Sequence, residues 1–132
     1  MERSKIETVV DAWERLAIFS TQPRELVDAQ RSGRLAHDPP RLAALLRSAG
    51  QGAVAPAWGR LATLDLPALA IAGELDPGYV AAAERMAALL ARGRARTVPG
   101  AGHAAHLERP EAVARLALKL LDDDLGQRGL TH

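Results

Sequence analysis

The chain has 132 residues, a net charge of +1, 48% apolar and 25% charged residues, and no cysteine. That balance suits one soluble globular unit and gives no electrostatic footing for nucleic acid or an anionic membrane surface. Disulfides and thiolate metal sites are excluded, no apolar run nears the roughly eighteen residues of a membrane span, and the start MERSKIETVV lacks a signal-peptide core, so a cytoplasmic protein is expected.

Ile6, Val9, Val10, Trp13 and Leu16 recur at helical spacing with charges between them. This predicts an amphipathic helix ending near FSTQP. A second, short helix is predicted after Pro23. A third runs from about Pro40 to Ser48 with Leu42, Leu45 and Leu46 on one face. GQGAVAP reads as a loop and AWGRLATL as a helical turn. At Leu66-Pro67 the character changes. ALAIAG (68–73) is an unbroken apolar run ending in glycine, which suits a strand buried on both faces. ELDPGY follows as a loop, then a helix over 78–91 with Val80, Ala83, Ala87 and Leu90 inward, then a short strand over 94–98. PGAGHAAHLERPE is read as a loop. The last helix spans 110–122, with Pro110 in its first turn and Val113, Leu116, Ala117, Leu120 and Leu121 as one stripe. The tail 125–132 is expected to fray.

Helices therefore come first and strand–helix–strand–helix second, the rhythm of a doubly wound α/β sheet. Two parallel strands do not make a sheet that stands alone, so the sheet is expected to be incomplete and the chain to be the last part of a larger fold.

Sites in such sheets are built from the loops at the carboxyl ends of the strands. The first loop carries Glu74 and Asp76, the second His103. A carboxylate and a histidine there can meet, the carboxylate holding one ring nitrogen and freeing the other as a base. Asp76 also precedes Pro77, so it can equally be the N-cap of the next helix, and His103 can be an ordinary loop residue. His106 reads as a structural or supporting residue and His37, in LAHDPP, as a loop or capping residue. The four histidines lack the spacing of a metal site. GAGHAA matches a dinucleotide glycine motif only loosely, because the next helix opens too late, near Pro110, and no acidic partner follows at the right distance.

The pattern LPALAIAGELDPGYV…RTVPGAGHAAHLERPEAVARLALKLL resembles the C-terminal part of the α/β-hydrolase fold. The resemblance implies that Asp76 is the acid and His103 the histidine of a catalytic triad. It covers about residues 60–122. RLAHDPPRLAALLRSAGQGAVAPAWGRL, taken with AGELD and GAGHAAHLE, is also similar to the 2-succinyl-6-hydroxy-2,4-cyclohexadiene-1-carboxylate synthase family of menaquinone biosynthesis. That resemblance implies a helical cap remnant over 1–58, a core segment over 59–124, proton abstraction with pyruvate elimination, and no metal or organic cofactor. It implies a small-molecule carboxylate substrate, with Arg34 and Trp58 as binding residues. An arginine suits a carboxylate. Arg34 can equally be a solvated surface arginine, and Trp58 can be packing alone. A generic hydrolase of esters or other small molecules shares the same acid and histidine loops.

One part of the family pattern is missing. The nucleophile stands on a G-x-S-x-G turn, and none of the serines at 4, 20, 32 and 48 has that setting; QRSGR has glutamine in place of the first glycine. The oxyanion loop and the earlier strands are also absent from this sequence. The chain alone is expected to be inactive. It is expected to be a truncated copy, one half of a split enzyme completed by an N-terminal chain, or a non-catalytic interaction remnant. An exposed sheet edge would favour pairing with that chain or self-association.

Overall fold

The computed structural model describes residues 5–50 and 52–129. The chain divides into two compact units, Met1–Pro56 and Ala57–His132.

The first unit is helical. α1 spans Lys5–Trp13, a 3₁₀ turn Ala17–Phe19, α2 Arg24–Leu35 and α3 Pro39–Ala49. α1 stops short of Leu16, the last residue of its predicted face. There the chain tightens into three-residue turns, with Leu16 N–H donating to Trp13 C=O and Phe19 N–H to Leu16 C=O. This brings the Phe19 ring to 5.8 Å from that of Trp13. α2, predicted short, has 12 residues. Its length is held from outside the segment. Arg31 pairs with Asp11 and Glu14, and Arg34 pairs with Glu14, across about twenty residues of chain. The Asp11 hydrogen bond, then that of Glu14, pushes the Arg31 pKa up. α3 opens on Asp38, whose carboxylate accepts from Arg41 N–H, with Pro39 and Pro40 in the first turn where a missing N–H costs nothing. Asp38, not His37, is thus the cap.

The second unit begins with a 3₁₀ turn, Trp58–Thr63, and continues as β1 (Ala68–Gly73), α4 (Pro77–Leu89), β2 (Gly93–Val98), α5 (Ala105–Glu108) and α6 (Pro110–Gly129). β1 and β2 pair in parallel, in register from Ala68 opposite Gly93 to Gly73 opposite Val98. Among the described residues the sheet has these two strands. Val80, Ala83, Ala87 and Leu90 are buried or half-buried, as their spacing predicts. The stripe on α6 is narrower than predicted. Ala112, Val113, Leu116 and Leu120 are half-buried while Ala117 and Leu121 are exposed. α6 also runs on through 125–129, where fraying was expected; residues 130–132 lie outside the described residues. Asp123 and Asp124 on its late turns pair with Arg94 in β2 and Arg92 just before it, which ties the end of the helix down.

The core sits where β2 leads into the following loop. Val98 and Ala101 are at most 1% exposed and pack with Ala105, Ile71, Val113 and Leu116. Val98→Ala removes two buried methyl groups and leaves a cavity among side chains already half-open to solvent. We expect a loss of about 2 kcal/mol, read as a lower urea midpoint with an unchanged m-value. No described helix is long and apolar enough to cross a membrane.

Candidate active site

The loops after β1 and β2 are laced together by backbone. Glu74 N–H donates to Val98 C=O at 3.0 Å and Leu75 N–H to Ala101 C=O at 2.9 Å. The approach at Gly73 is so close that a Cβ there would lie 2.1 Å from Gly102 O and 2.4 Å from Ala101 O. Only glycine leaves that space. Gly100 takes φ +63°, a conformation that strains other residues, and turns the second loop back. Two carboxylates brace it: Gly100 N–H donates to Glu74 Oε2 at 2.8 Å and Gly102 N–H to Glu108 Oε2 at 2.6 Å.

This bracing delivers His103 to Asp76. His103 Nδ1 lies 2.8 Å from Asp76 Oδ2. The other oxygen, Oδ1, accepts the N–H of Tyr79 at 3.2 Å in the first turn of α4. Helix cap and histidine partner, alternatives on the sequence, are therefore both realised by the two oxygens of one carboxylate. The side chains are 28% exposed at His103 and 18% at Asp76. The pair is sheltered from the full screening of water yet reachable by a small molecule.

A carboxylate can only accept, so the hydrogen of this bond sits on Nδ1, and in the neutral ring the lone pair is then on Nε2. No described residue hydrogen-bonds Nε2. In its neutral form the imidazole is thus oriented so that Nε2 can take a proton, with the carboxylate behind Nδ1.

Two residues escaped the sequence reading. The Tyr79 ring stands against the His103 ring, centroids 4.6 Å apart at 81°. Its only sequence signal is its place three residues after Asp76. Glu108 was hidden in HLERPE, which forms α5 and not open loop. His106, on that helix, is exposed and hydrogen-bonds no described residue, so it does not support the pair.

The remaining predicted site residues lie elsewhere. Arg34 is on α2 in the first unit and is not a solvated arginine: its side chain is 17% exposed. Nη1 donates to Glu14 Oε1 at 3.1 Å and Nη2 to Gln30 Oε1 at 2.9 Å, and the guanidinium stands 5.4 Å from the Phe19 ring centre. With Trp13, His37 and Leu46 it also lines a largely apolar cleft of about 340 Å³. Trp58 is half-buried in the second unit, its ring 4.5 Å beneath the Arg85 guanidinium.

The sequence model of the alpha/beta hydrolase family matches residues 3–116. The chain belongs to the α/β-hydrolase family. Among its relatives in that family, a candidate 2-succinyl-6-hydroxy-2,4-cyclohexadiene-1-carboxylate synthase of Bacillus subtilis (strain 168) is 34% identical over 122 residues. The match takes in 90% of this chain and 44% of the relative. The solved structure of MenH from S. aureus superposes with a TM-score of 0.86 at 32% identity, over 91% of this chain and 46% of that one. This α/β-hydrolase chain thus spans a little under half the length of both relatives. Its two parallel strands and the helices around them have the α/β-hydrolase fold, with the Asp76–His103 pair at their carboxyl ends.

Proposed function

We propose that Asp76 and His103 are the acid and base of a hydrolase-type triad. The enzyme they serve removes a proton from a small polycarboxylate and eliminates pyruvate in menaquinone biosynthesis, as a 2-succinyl-6-hydroxy-2,4-cyclohexadiene-1-carboxylate synthase. The observation that carries the proposal is the 2.8 Å contact between His103 Nδ1 and Asp76 Oδ2. It sets the tautomer that leaves Nε2 able to accept a proton. The serine that Nε2 would activate is supplied by polypeptide bearing the G-x-S-x-G turn, which this sequence does not contain. β1 supports that completion: it is apolar along its length, and among the described residues it pairs on one edge only. The reaction needs no metal or organic cofactor, and the chain works in the cytoplasm.

Arg34 is proposed to meet a substrate carboxylate. Its fork has five N–H donors, and two are engaged by Glu14 and Gln30. Holding the guanidinium this way fixes its plane in advance, which suits bidentate recognition. Trp58 is proposed as an apolar contact to the substrate.

The test is complementation. The chain is co-expressed with the N-terminal half of a relative, through its triad serine, and pyruvate release is measured alongside cleavage of a simple aryl ester. Pyruvate release that His103→Ala lowers by at least about 10³-fold is the expected result. Ester cleavage without pyruvate would replace the synthase by a generic hydrolase. A soluble complex with neither activity would remove the catalytic role.

A further inference from the structure

Tyr79 touches the pair twice. Its backbone N–H holds Asp76 Oδ1 at 3.2 Å, and its ring stands edge-to-face with the imidazole, 4.6 Å between centroids and 81° between planes. The first contact fixes the carboxylate; the second restricts rotation of the imidazole about its Cβ–Cγ bond. In this chain Tyr79 is 51% exposed, and its ring contact is with His103. Its hydroxyl makes no hydrogen bond to a described residue. A large aromatic left half in water and still set against a histidine in the favoured T-shaped geometry is placed for the histidine.

We infer that Tyr79 is a positioning residue: its ring holds the His103 imidazole in the orientation that keeps Nδ1–H on Asp76 and Nε2 free. The inference rests on the His103–Asp76 pair being the reactive one. The two contacts are separable by mutation. The N–H belongs to the backbone, so Tyr79→Ala keeps the cap on Asp76 and removes only the ring. Tyr79→Phe keeps the ring and removes only the hydroxyl. Tyr79→Leu keeps bulk without the aromatic quadrupole, and it carries the comparison should the alanine variant fail to fold.

The readout is the tautomer of the neutral His103 ring, taken from its ring-nitrogen chemical shifts in the purified 132-residue chain above the pH of imidazole protonation. It does not depend on activity or on a completing polypeptide. Free imidazole side chains favour hydrogen on Nε2, so an Nδ1–H majority reports the held state. The parent and Tyr79→Phe are expected to show that majority. Tyr79→Ala and Tyr79→Leu are expected to lower the Nδ1–H to Nε2–H ratio by about fivefold, within the range a T-shaped pair can sustain. An unchanged ratio in both variants would overturn the positioning role while leaving the pair itself intact. A drop in Tyr79→Phe equal to that in Tyr79→Ala would overturn it in favour of the hydroxyl. A parent chain without the Nδ1–H majority would overturn it together with the acid–base reading of Asp76 and His103.

Discussion

Asp76→Asn is expected to cut pyruvate release by the completed enzyme about 10⁴-fold while changing the stability of the chain by less than about 0.5 kcal/mol. The separation follows from the two oxygens. Oδ1 caps α4 through Tyr79 N–H, and an asparagine carbonyl in that place caps a helix as well as a carboxylate does. Oδ2 faces His103 Nδ1. An amide nitrogen there is a donor, which forces the imidazole hydrogen onto Nε2 and removes the lone pair needed to take a proton. Asp76→Ala should lose the activity and, with the cap gone, about 1 kcal/mol as well. Rate and urea midpoint measured on the same preparations check both halves. A Asp76→Asn enzyme within tenfold of the parent would show that the tautomer is set by something other than Asp76.

Gly73→Ala should be the most damaging single methyl group in the second unit. The added carbon would sit 2.1 Å from Gly102 O and 2.4 Å from Ala101 O. Both atoms are backbone, so no rotamer change relieves the overlap and the loops must part. We expect a loss of about 3 kcal/mol or more, at the upper end of overpacking costs. In whatever fraction stays folded, His103 should be displaced from Asp76. Gly33→Ala is the control: nothing lies within 4 Å of the added carbon on α2, and an alanine in a helix interior should stabilise by about 0.5 to 1 kcal/mol. Denaturant unfolding of the two variants beside the parent reads the difference. A Gly73→Ala chain as stable as its parent would mean that the two loops are not held in contact in solution.

Much of the site was legible because it rests on local pattern. An apolar run ending in glycine, followed by an acidic loop and then an amphipathic helix, places Asp76 at a strand's carboxyl end whatever lies around it. The second strand does the same for His103. Tyr79 was not legible, because an aromatic on the first turn of a helix has no period of its own; its meaning comes from His103, 24 positions away. The partners of Arg34 were not legible for a similar reason. Chain spacing alone leaves an arginine in solvent, and only the fold of α1 against α2 brings Glu14 to it.

The sequence by itself determined both strands and the helices other than α5, and that the strands run parallel. It also determined that one carboxylate and one histidine occupy neighbouring strand ends, and that no G-x-S-x-G serine is among these residues. These follow from residue periodicity and turn chemistry, which act over a few positions. Tertiary structure alone decided where α1 stops, why α2 runs three turns, and why α6 persists beyond 124. It alone decided that the cap and the histidine partner are the same Asp76. Each of those depends on a contact between residues about twenty or more positions apart, or on a ring packing that repays a tightened turn, and neither leaves a mark in local pattern.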